Sequence, residues 1–312
     1  MDKQEIIKNC IFGLAVGDAL GVPYEFMRRD QTQAVDLTNM KSNGYFHKQP
    51  AGAWSDDTAM TLASMDSITR SHGFDPDDMM AAFQDWYQNG AYTSTGETFG
   101  VGRTVYHALR KAQNLLPALQ CGQKRFHDNG NGSLMRVAPV ALYCAFHDLG
   151  RADEVRLVGD ASAITHAHEI SKLGCLIYTD FLKFLTNGIN KRAAYDKCCE
   201  IDYSNAFSKK ALKAYERVLH GGLPDLHRHM LVESGFVVAT LEAALWCVLT
   251  ESTYEDTAVV AVRLGYDTDT VAAIAGSISG IIYGRETIPP KWMSDLLQKE
   301  SINSLCESFA MI

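Results

Sequence analysis

The sequence predicts an all-α protein, and two patterns carry that prediction. Near the N-terminus, apolar residues recur at steps of four and three and lead to an acidic one, in the set Ile7, Ile11, Leu14 and Asp18. Near the C-terminus, a stripe of similar spacing runs through Val271, Ile274, Ala275, Ile278, Ile281 and Ile282. Such steps bring side chains onto one face of an α-helix, and a carboxylate on an apolar face needs a partner or a role. Segments that alternate between apolar and polar residues, as half-buried strands do, are absent.

The intervening segments follow the same helical pattern. Residues 59–68 repeat apolar side chains every three positions, and residues 236–249 form a long apolar run typical of a buried helix. Ser252 to Glu255 has the spacing of a capping box, and Gly265 stands where a glycine commonly ends a helix. The other face of the last predicted helix carries only small side chains, which favours close approach of another backbone. Its residues are Ala273, Gly276, Ser277 and Gly280.

Length and composition indicate a globular protein with a single domain. The chain has 312 residues, of which 46% are hydrophobic and 21% charged, so a sizeable core is expected rather than disorder. No segment resembles an interdomain linker, and we expect one domain over residues 1–312.

The net charge of −8 argues against nucleic acid as a partner. The eight cysteines include no C-x-x-C pair, which indicates reduced core thiols. With no signal peptide or membrane span recognised, we expect a cytoplasmic monomer that does not bind membranes.

Two acidic clusters stand immediately before predicted helices, at residues 55–58 (Ser-Asp-Asp-Thr) and 267–270 (Asp-Thr-Asp-Thr). Taken singly, each is typical of a helix N-cap, since Ser and Asp are preferred there. Together they supply four carboxylates at the starts of two core helices, where they repel one another unless cations neutralise them. Oxygen ligands without His or Cys suit Mg²⁺ or Mn²⁺. The pair therefore predicts one metal site built from two distant segments.

Weaker signals accompany the clusters. Residues 130–136 place alternating glycines before an apolar segment, where backbone N–H groups can hold a phosphate at a helix N-terminus; a plain turn is an equal alternative. His166 and His168 lie two residues apart and would diverge on a helix, so they do not predict a shared metal. Residues 267–271 also match an Asp-x-Asp phosphatase motif, but that motif normally follows a strand, and the spacing of an EF-hand is not completed.

Five motifs, in their order along the chain, resemble the ADP-ribosylglycohydrolase family, typified by the dinitrogenase reductase-activating glycohydrolase. They lie at residues 13–21, 54–58, 130–136, 234–246 and 267–270, so the resemblance covers about residues 9–285. The family implies a compact orthogonal helical bundle with two Mg²⁺ or Mn²⁺ ions. By motif position, the implied metal ligands are Ser55, Asp56, Asp57, Asp267, Asp269 and Thr270.

The resemblance also implies roles for other motif residues. Glu25 falls where the family places an acidic residue beside the scissile bond, with Asp57 or Asp269 as the alternative catalytic carboxylate on the metal side. The loop at residues 130–133 would hold the diphosphate, and His166 would contact the distal ribose. The full set expected to bind ADP-ribose is Gly100, Gly102, Asn131, Gly132, Ser133, Met135, His166 and Tyr266. Two positions depart from the pattern: Gly100 replaces the Asp of many arginine-specific relatives, and Tyr266 replaces a Gly.

The expected activity is hydrolysis of the bond between the distal ribose C1″ and a protein side chain, with ADP-ribosyl-arginine as the expected substrate and ADP-ribose as the product. ADP-ribosyl-serine and O-acetyl-ADP-ribose are alternative substrates. Two other classes stay open. One is a metal-dependent phosphohydrolase acting on a nucleotide diphosphate, and the other is a non-catalytic ADP-ribose-binding or structural relative.

Overall fold

The computed structural model describes residues 2–312, and within them the chain is helical with no β-sheet. The α-helices of these residues are α1 (Lys3–Gly21), α2 (Arg29–Thr32), α3 (Asp56–Arg70), α4 (Pro76–Asn89), α5 (Arg103–Gln113), α6 (Ala118–Cys121), α7 (Ala138–Phe146), α8 (Arg151–Ala163), α9 (Glu169–Thr186), α10 (Lys191–Glu200), α11 (Lys209–Ala214), α12 (Glu216–Leu219), α13 (Val237–Thr250), α14 (Tyr254–Arg263), α15 (Thr268–Tyr283), α16 (Pro290–Asp295) and α17 (Lys299–Ala310). Short 3₁₀ turns lie between them at Val22–Tyr24, Phe126–Asp128, Tyr203–Asn205, Leu223–Asp225, Arg228–Met230 and Arg285–Thr287. The all-α prediction is confirmed.

The helices α1, α3, α13 and α15 cover the segments whose periodicity predicted helix. The predicted capping box is displaced by one residue, because Thr253 rather than Ser252 is the N-cap of α14. The Thr253 hydroxyl accepts from the N–H of Asp256 at 3.0 Å and donates to the Asp256 carboxylate at 2.7 Å. Ser252 and Thr253 suit a cap equally, and so do Glu255 and Asp256 as partners, so the pattern alone did not fix the register. Gly265 follows the end of α14 with a φ of 82°, as predicted.

The helices α1 and α15 pack with their backbones in direct contact. A Cβ added to Gly13 would strike the carbonyl of Gly276, and one added to Gly21 would strike the backbone of Asp269. The residue numbers of the contacting pairs increase along α1 and decrease along α15, so the two helices run antiparallel. The small face predicted for α15 is the face that receives α1. The end of α1 therefore meets the start of α15, where the second acidic cluster lies.

The first helix is long and mostly apolar. Residues Lys3–Tyr24 are long and apolar enough to cross a membrane by length and composition, and in the structure residues 6–24 are buried in the protein. The predicted stripe from Ile7 to Asp18 is a core face, since its members are 1% exposed or less. The eight cysteines are free, and Cys199 alone is partly exposed, in agreement with the prediction of reduced core thiols.

Candidate active site

A cleft of about 620 Å³ opens where the starts of α3, α5 and α15 meet a glycine-rich turn. Most of the predicted site residues line it: Glu25, Asp56, Asp57, Gly100, Gly102, Asn131, Gly132, Met135, His166, Tyr266, Asp267, Asp269 and Thr270. Ser55 and Ser133 do not line the cleft. They are 2% and 1% exposed, and their hydroxyls bond to the side chains of Asp57 and Ser162. The structure therefore brings the two acidic clusters and the glycine-rich turn into one cavity.

Asp18, which the sequence singled out without a specific role, fixes the start of α3. Its carboxylate accepts from the N–H of Ser55 (3.0 Å), the N–H of Thr58 (2.9 Å) and the hydroxyl of Thr58 (2.6 Å). Ser55 in turn caps α3, because its hydroxyl accepts from the N–H of Asp57 at 3.3 Å. The interpretation of the first cluster as a helix N-cap is therefore confirmed for Ser55. The core helix α1 holds the first turn of α3 in place through one wholly buried carboxylate.

Five acidic side chains meet at the base of the cleft; four of them line it, and Asp18 is buried beneath them. Asp18, Asp57 and Asp269 present oxygens within 4.8 Å of one another, and so do Glu25, Asp267 and Asp269. Asp269 belongs to both groups and connects them. Four of the five are 7% exposed or less, and Asp267 is partly exposed. Within residues 2–312, the only ion-pair partner of these five carboxylates is His47, at Glu25. We call these five residues the acidic floor.

Burial disfavours ionisation of the four aspartates of the acidic floor. Burial raises the pKa of Asp18 and of Asp267 from 3.8 to about 6. The pKa values of Asp57 and Asp269 rise well above 3.8, through burial first and through neighbouring carboxylates second. Carboxylates this close cannot all ionise unless a cation compensates their charge. The four aspartates therefore hold protons at mildly acidic pH and favour cations as the pH rises.

The acidic floor fits a divalent cation by its donor set. Oδ1 of Asp57 is buried and has no hydrogen-bond partner within residues 2–312. Oδ2 of Asp57 accepts from the hydroxyls of Ser55 at 2.9 Å and of Thr270 at 3.3 Å. An orphaned buried carboxylate oxygen calls for an explanation, and a cation ligand is the one that its neighbours support. Carboxylates and hydroxyls are the hard oxygen ligands of Mg²⁺ and Mn²⁺.

Asp56 occupies a different position from the other predicted ligands. It belongs to neither group of converging carboxylates. It lies on the wall of the cleft against Gly100, whose φ is 79°, and a Cβ on that glycine would strike the Asp56 carboxylate. The structure thus adds Asp18 and Glu25 to the converging carboxylates and leaves Asp56 beside them.

Glu25 is buried in the cleft and paired with a histidine that sequence reasoning missed. Its Oε2 lies 2.5 Å from Nε2 of His47, and two such atoms share one proton at this distance. The His47 ring also contacts the rings of Phe46 and Phe99, with 4.9 Å between centroids in each case. His47 lies in a long loop without a helical pattern or a family motif. The run Tyr45-Phe46-His47 in that polar loop is the signal that could have identified it.

The turn at residues 130–135, which we call the glycine loop, contains amide groups without protein partners. The N–H groups of Leu134 and Met135 donate to the carbonyl of Asn131 at 2.8 and 3.0 Å, which closes the turn. Within residues 2–312 the N–H groups of Gly132 and Ser133 have no acceptor. The helix α7 begins at Ala138, directly after this turn, as the sequence predicted, and the free amides belong to the turn itself. Successive free amides of this kind can hold an anionic oxygen.

Two side chains connect the glycine loop to the rest of the cleft. Nδ2 of Asn131 donates to the carboxylate of Asp267 and to the hydroxyl of Thr240 at 3.0 Å, which joins the loop to α13 and α15. His166 lies against the loop, is 1% exposed and lines the cleft. His168 points elsewhere and caps α9 by accepting from the N–H of Ile170 at 3.2 Å. The two histidines diverge, as expected, although they lie in a turn rather than within a helix.

The mouth of the cleft is aromatic and is held in an unusual backbone conformation. Phe26 and Tyr266 both have a left-handed φ of 64°. The N–H of Phe26 donates to the carbonyl of Tyr266 at 2.6 Å, and the N–H of Tyr266 donates to the carbonyl of Met27 at 2.7 Å. This conformation costs a non-glycine residue about 1 kcal/mol, so a glycine at position 266 would avoid that cost. The two rings contact each other edge to face, 5.6 Å apart, and line the entrance.

Comparison with known proteins agrees with this geometry. A family model described as ADP-ribosylglycohydrolase matches residues 1–312. The ADP-ribosylarginine hydrolase Tri1 of Serratia proteamaculans is 32% identical over 306 residues, covering 96% of this chain and 77% of that protein. The ADP-ribosyl-[dinitrogen reductase] glycohydrolase of Rhodospirillum rubrum is 27% identical, covering 93% of this chain and 90% of that protein. A solved structure described as an ADP-ribosylglycohydrolase-related protein complex superposes with a TM-score of 0.82 at 29% identity, covering 99% of this chain and 98% of that one. The chain belongs to the ADP-ribosylglycohydrolase family.

Proposed function

We propose that this protein is a divalent-metal-dependent hydrolase that removes ADP-ribose from modified arginine side chains by cleaving the C1″–N glycosidic bond. The observation that carries the proposal is an acidic floor whose only ion-pair partner within residues 2–312 is His47, placed in one cleft with a turn of free amides. The acidic floor suits cations that bind ribose hydroxyls, and the free amides suit a diphosphate. Arginine as the acceptor is favoured because two relatives at 30% identity or more are named ADP-ribosylarginine hydrolases.

Glu25 and His47 are the residues to which we assign the chemistry at C1″. Glycosidic bonds break through a transition state with positive charge on the sugar ring, and a nearby carboxylate stabilises that charge. Glu25 is the acidic-floor member paired with a side chain that can carry a proton. The proton between Oε2 of Glu25 and Nε2 of His47 is the one that we assign to the leaving nitrogen. Asp57 is the alternative, but its unpartnered Oδ1 suits a cation better.

Two Mg²⁺ or Mn²⁺ ions would be held by members of the acidic floor together with side chains that lie beside it. The proposed ligands are Ser55, Asp56, Asp57, Asp267, Asp269 and Thr270, with Glu25 and Asp18 close by. When bound, such ions supply Lewis-acid chemistry that orients sugar hydroxyls and activates water. The protein contributes the rigid positions of these ligands: Asp18 fixes the start of α3, and Asn131 bonds to the carboxylate of Asp267.

The test is release of ADP-ribose from an ADP-ribosyl-arginine peptide, with ADP-ribosyl-serine and O-acetyl-ADP-ribose in parallel, each with Mg²⁺, Mn²⁺ or EDTA. We expect release from the arginine substrate, and its loss in EDTA and in Asp57→Asn. Asp75→Asn is the matched control, since Asp75 also begins a helix but caps α4 away from the cleft. Turnover that survives both chelation and Asp57→Asn refutes the metal mechanism.

The same assay separates the remaining classes by product. A phosphohydrolase releases AMP or phosphate, whereas a glycohydrolase releases intact ADP-ribose. Preference for the serine or acetyl substrate would reassign the acceptor and leave the class unchanged. Binding of ADP-ribose without turnover of any of the three substrates would identify a non-catalytic relative.

A further inference from the structure

A chain of three buried polar side chains lies behind the glycine loop. Nη2 of Arg136 donates to Oγ1 of Thr165 at 2.8 Å, and the same oxygen lies 2.8 Å from Nδ1 of His166. All three side chains are 1% exposed or less. Arg136 and Thr165 do not line the cleft, and the mechanism proposed above assigns them no role.

The direction of the hydrogen bonds in this chain follows from the chemistry of its groups. A guanidinium can only donate, so Oγ1 of Thr165 accepts in the first bond. The Thr165 hydroxyl proton then needs an acceptor, and Nδ1 of His166 is the one that it meets within residues 2–312. A buried donor without an acceptor costs about 1–3 kcal/mol, which disfavours the opposite arrangement. Nδ1 therefore accepts, and the neutral imidazole carries its proton on Nε2.

Arg136 also opposes a second proton on this ring. Within residues 2–312 its guanidinium has no carboxylate partner; it donates to the carbonyl of Ala161 at 3.1 Å and lies 4.5 Å from the centre of the Phe83 ring. Burial first and this cation second lower the pKa of His166 to about 3. The titratable group facing Arg136 from α9 is Cys175, and burial raises the pKa of that thiol, so it stays neutral.

The opposite edge of the imidazole faces the glycine loop. Nε2 of His166 lies 3.5 Å from the position that a Cβ on Gly132 would take, and 3.6 Å from the same position at Gly130. Nε2 bonds to no acceptor within residues 2–312, although the ring lines the cleft. We propose that Arg136 and Thr165 are positioning residues that fix His166 as a permanently neutral donor, whose Nε2–H is directed at an oxygen of the ligand held by the glycine loop. The identification of that oxygen with the diphosphate of ADP-ribose rests on the proposed function.

The tautomer is measurable without any ligand, by ¹⁵N–¹H correlation spectra of histidine-labelled protein in which His166→Asn assigns the signals. We expect a protonated Nε2 and an unprotonated Nδ1 that do not titrate between about pH 5.5 and 8. Thr165→Val removes the hydroxyl at nearly constant volume and is expected to give a mixture of tautomers, whereas Thr165→Ser restores Nε2–H. His168→Asn is the matched control and leaves the His166 signals unchanged, since His168 caps α9.

Binding of ADP-ribose, measured by calorimetry, is the second readout. We expect Thr165→Val to weaken binding about 3- to 10-fold, the effect of one misplaced hydrogen bond, and Thr165→Ser to bind like the wild type. An Nδ1–H tautomer, a protonated His166 ring at neutral pH, or a wild-type spectrum in Thr165→Val overturns the assignment; the first two are read from the wild type even if variants misfold. A wild-type protein with the expected tautomer but no affinity for ADP-ribose would refute the proposed function and leave the positioning role standing.

Discussion

Once divalent cations are removed, the free energy of unfolding should fall as the pH rises from about 4 to 7. The size of this fall follows from the pKa values in the acidic floor. Burial raises the pKa of Asp18 and Asp267 from 3.8 to about 6, so the unfolded chain ionises first. Each such group, once ionised, costs the folded state about 3 kcal/mol. Because the carboxylates interact, we take about 3 kcal/mol as the least total loss, and at this chain length that lowers the melting temperature by about 5 °C or more.

The assay is thermal and urea unfolding of the chelated protein at a series of pH values, with and without added Mg²⁺ or Mn²⁺. A folded-state pKa above the unfolded value means that the folded protein binds more protons, so stability falls as the pH increases through that window. Divalent cations compensate the ionised carboxylates and should restore the loss, increasingly so at higher pH. Asp269→Asn removes one buried charge and should flatten the pH dependence of the chelated protein.

Asp75→Asn is the control for this experiment, because Asn caps a helix about as well as Asp and α4 begins away from the cleft. It should leave both the pH dependence and the cation effect unchanged. A chelated wild type whose stability is constant or rises between about pH 4 and 7 would refute the electrostatic reasoning. So would a stabilisation by Mg²⁺ that Asp269→Asn leaves intact.

Three further predictions follow from particular contacts. Gly276→Ala should destabilise the fold by about 1–3 kcal/mol in urea unfolding, because the added methyl strikes the backbone of α1, whereas Gly222→Ala, with open space at its Cβ, should be nearly neutral. His47→Asn should lower turnover of ADP-ribosyl-arginine by about 100-fold or more, with ADP-ribose affinity preserved, if the shared proton serves the leaving group; equal losses in turnover and affinity would contradict this. Tyr266→Gly should raise the melting temperature or leave it unchanged, because it relieves a left-handed backbone worth about 1 kcal/mol, and a clear destabilisation would show that the ring contact with Phe26 outweighs that relief.

Sequence periodicity predicted the helices well because burial of one helix face constrains residue spacing over many turns. The stripe ending at Asp18 shows how far this goes, since it identified a buried carboxylate but not the N–H groups of α3 that it accepts from. Those partners depend on how two helices cross, which a one-dimensional pattern does not contain. His47 was missed for the same reason: only the folded loop brings it to Glu25. Ser133 was placed in the glycine loop correctly, but its side chain faces Ser162 rather than the cleft.

Gly100 is the departure from the family pattern whose consequence the structure makes testable. Its φ of 79° suits glycine, and a Cβ there would strike the carboxylate of Asp56. Gly100→Asp would therefore add about 1 kcal/mol of backbone strain and place a further carboxylate beside Asp56, whose pKa burial already raises well above 3.8. We expect this variant to be less stable in unfolding assays and slower on ADP-ribosyl-arginine than the wild type, rather than faster. A gain in turnover would show that the acid expected from the family pattern can be restored here, and that the chemistry assigned to Glu25 and His47 compensates for its absence only in part.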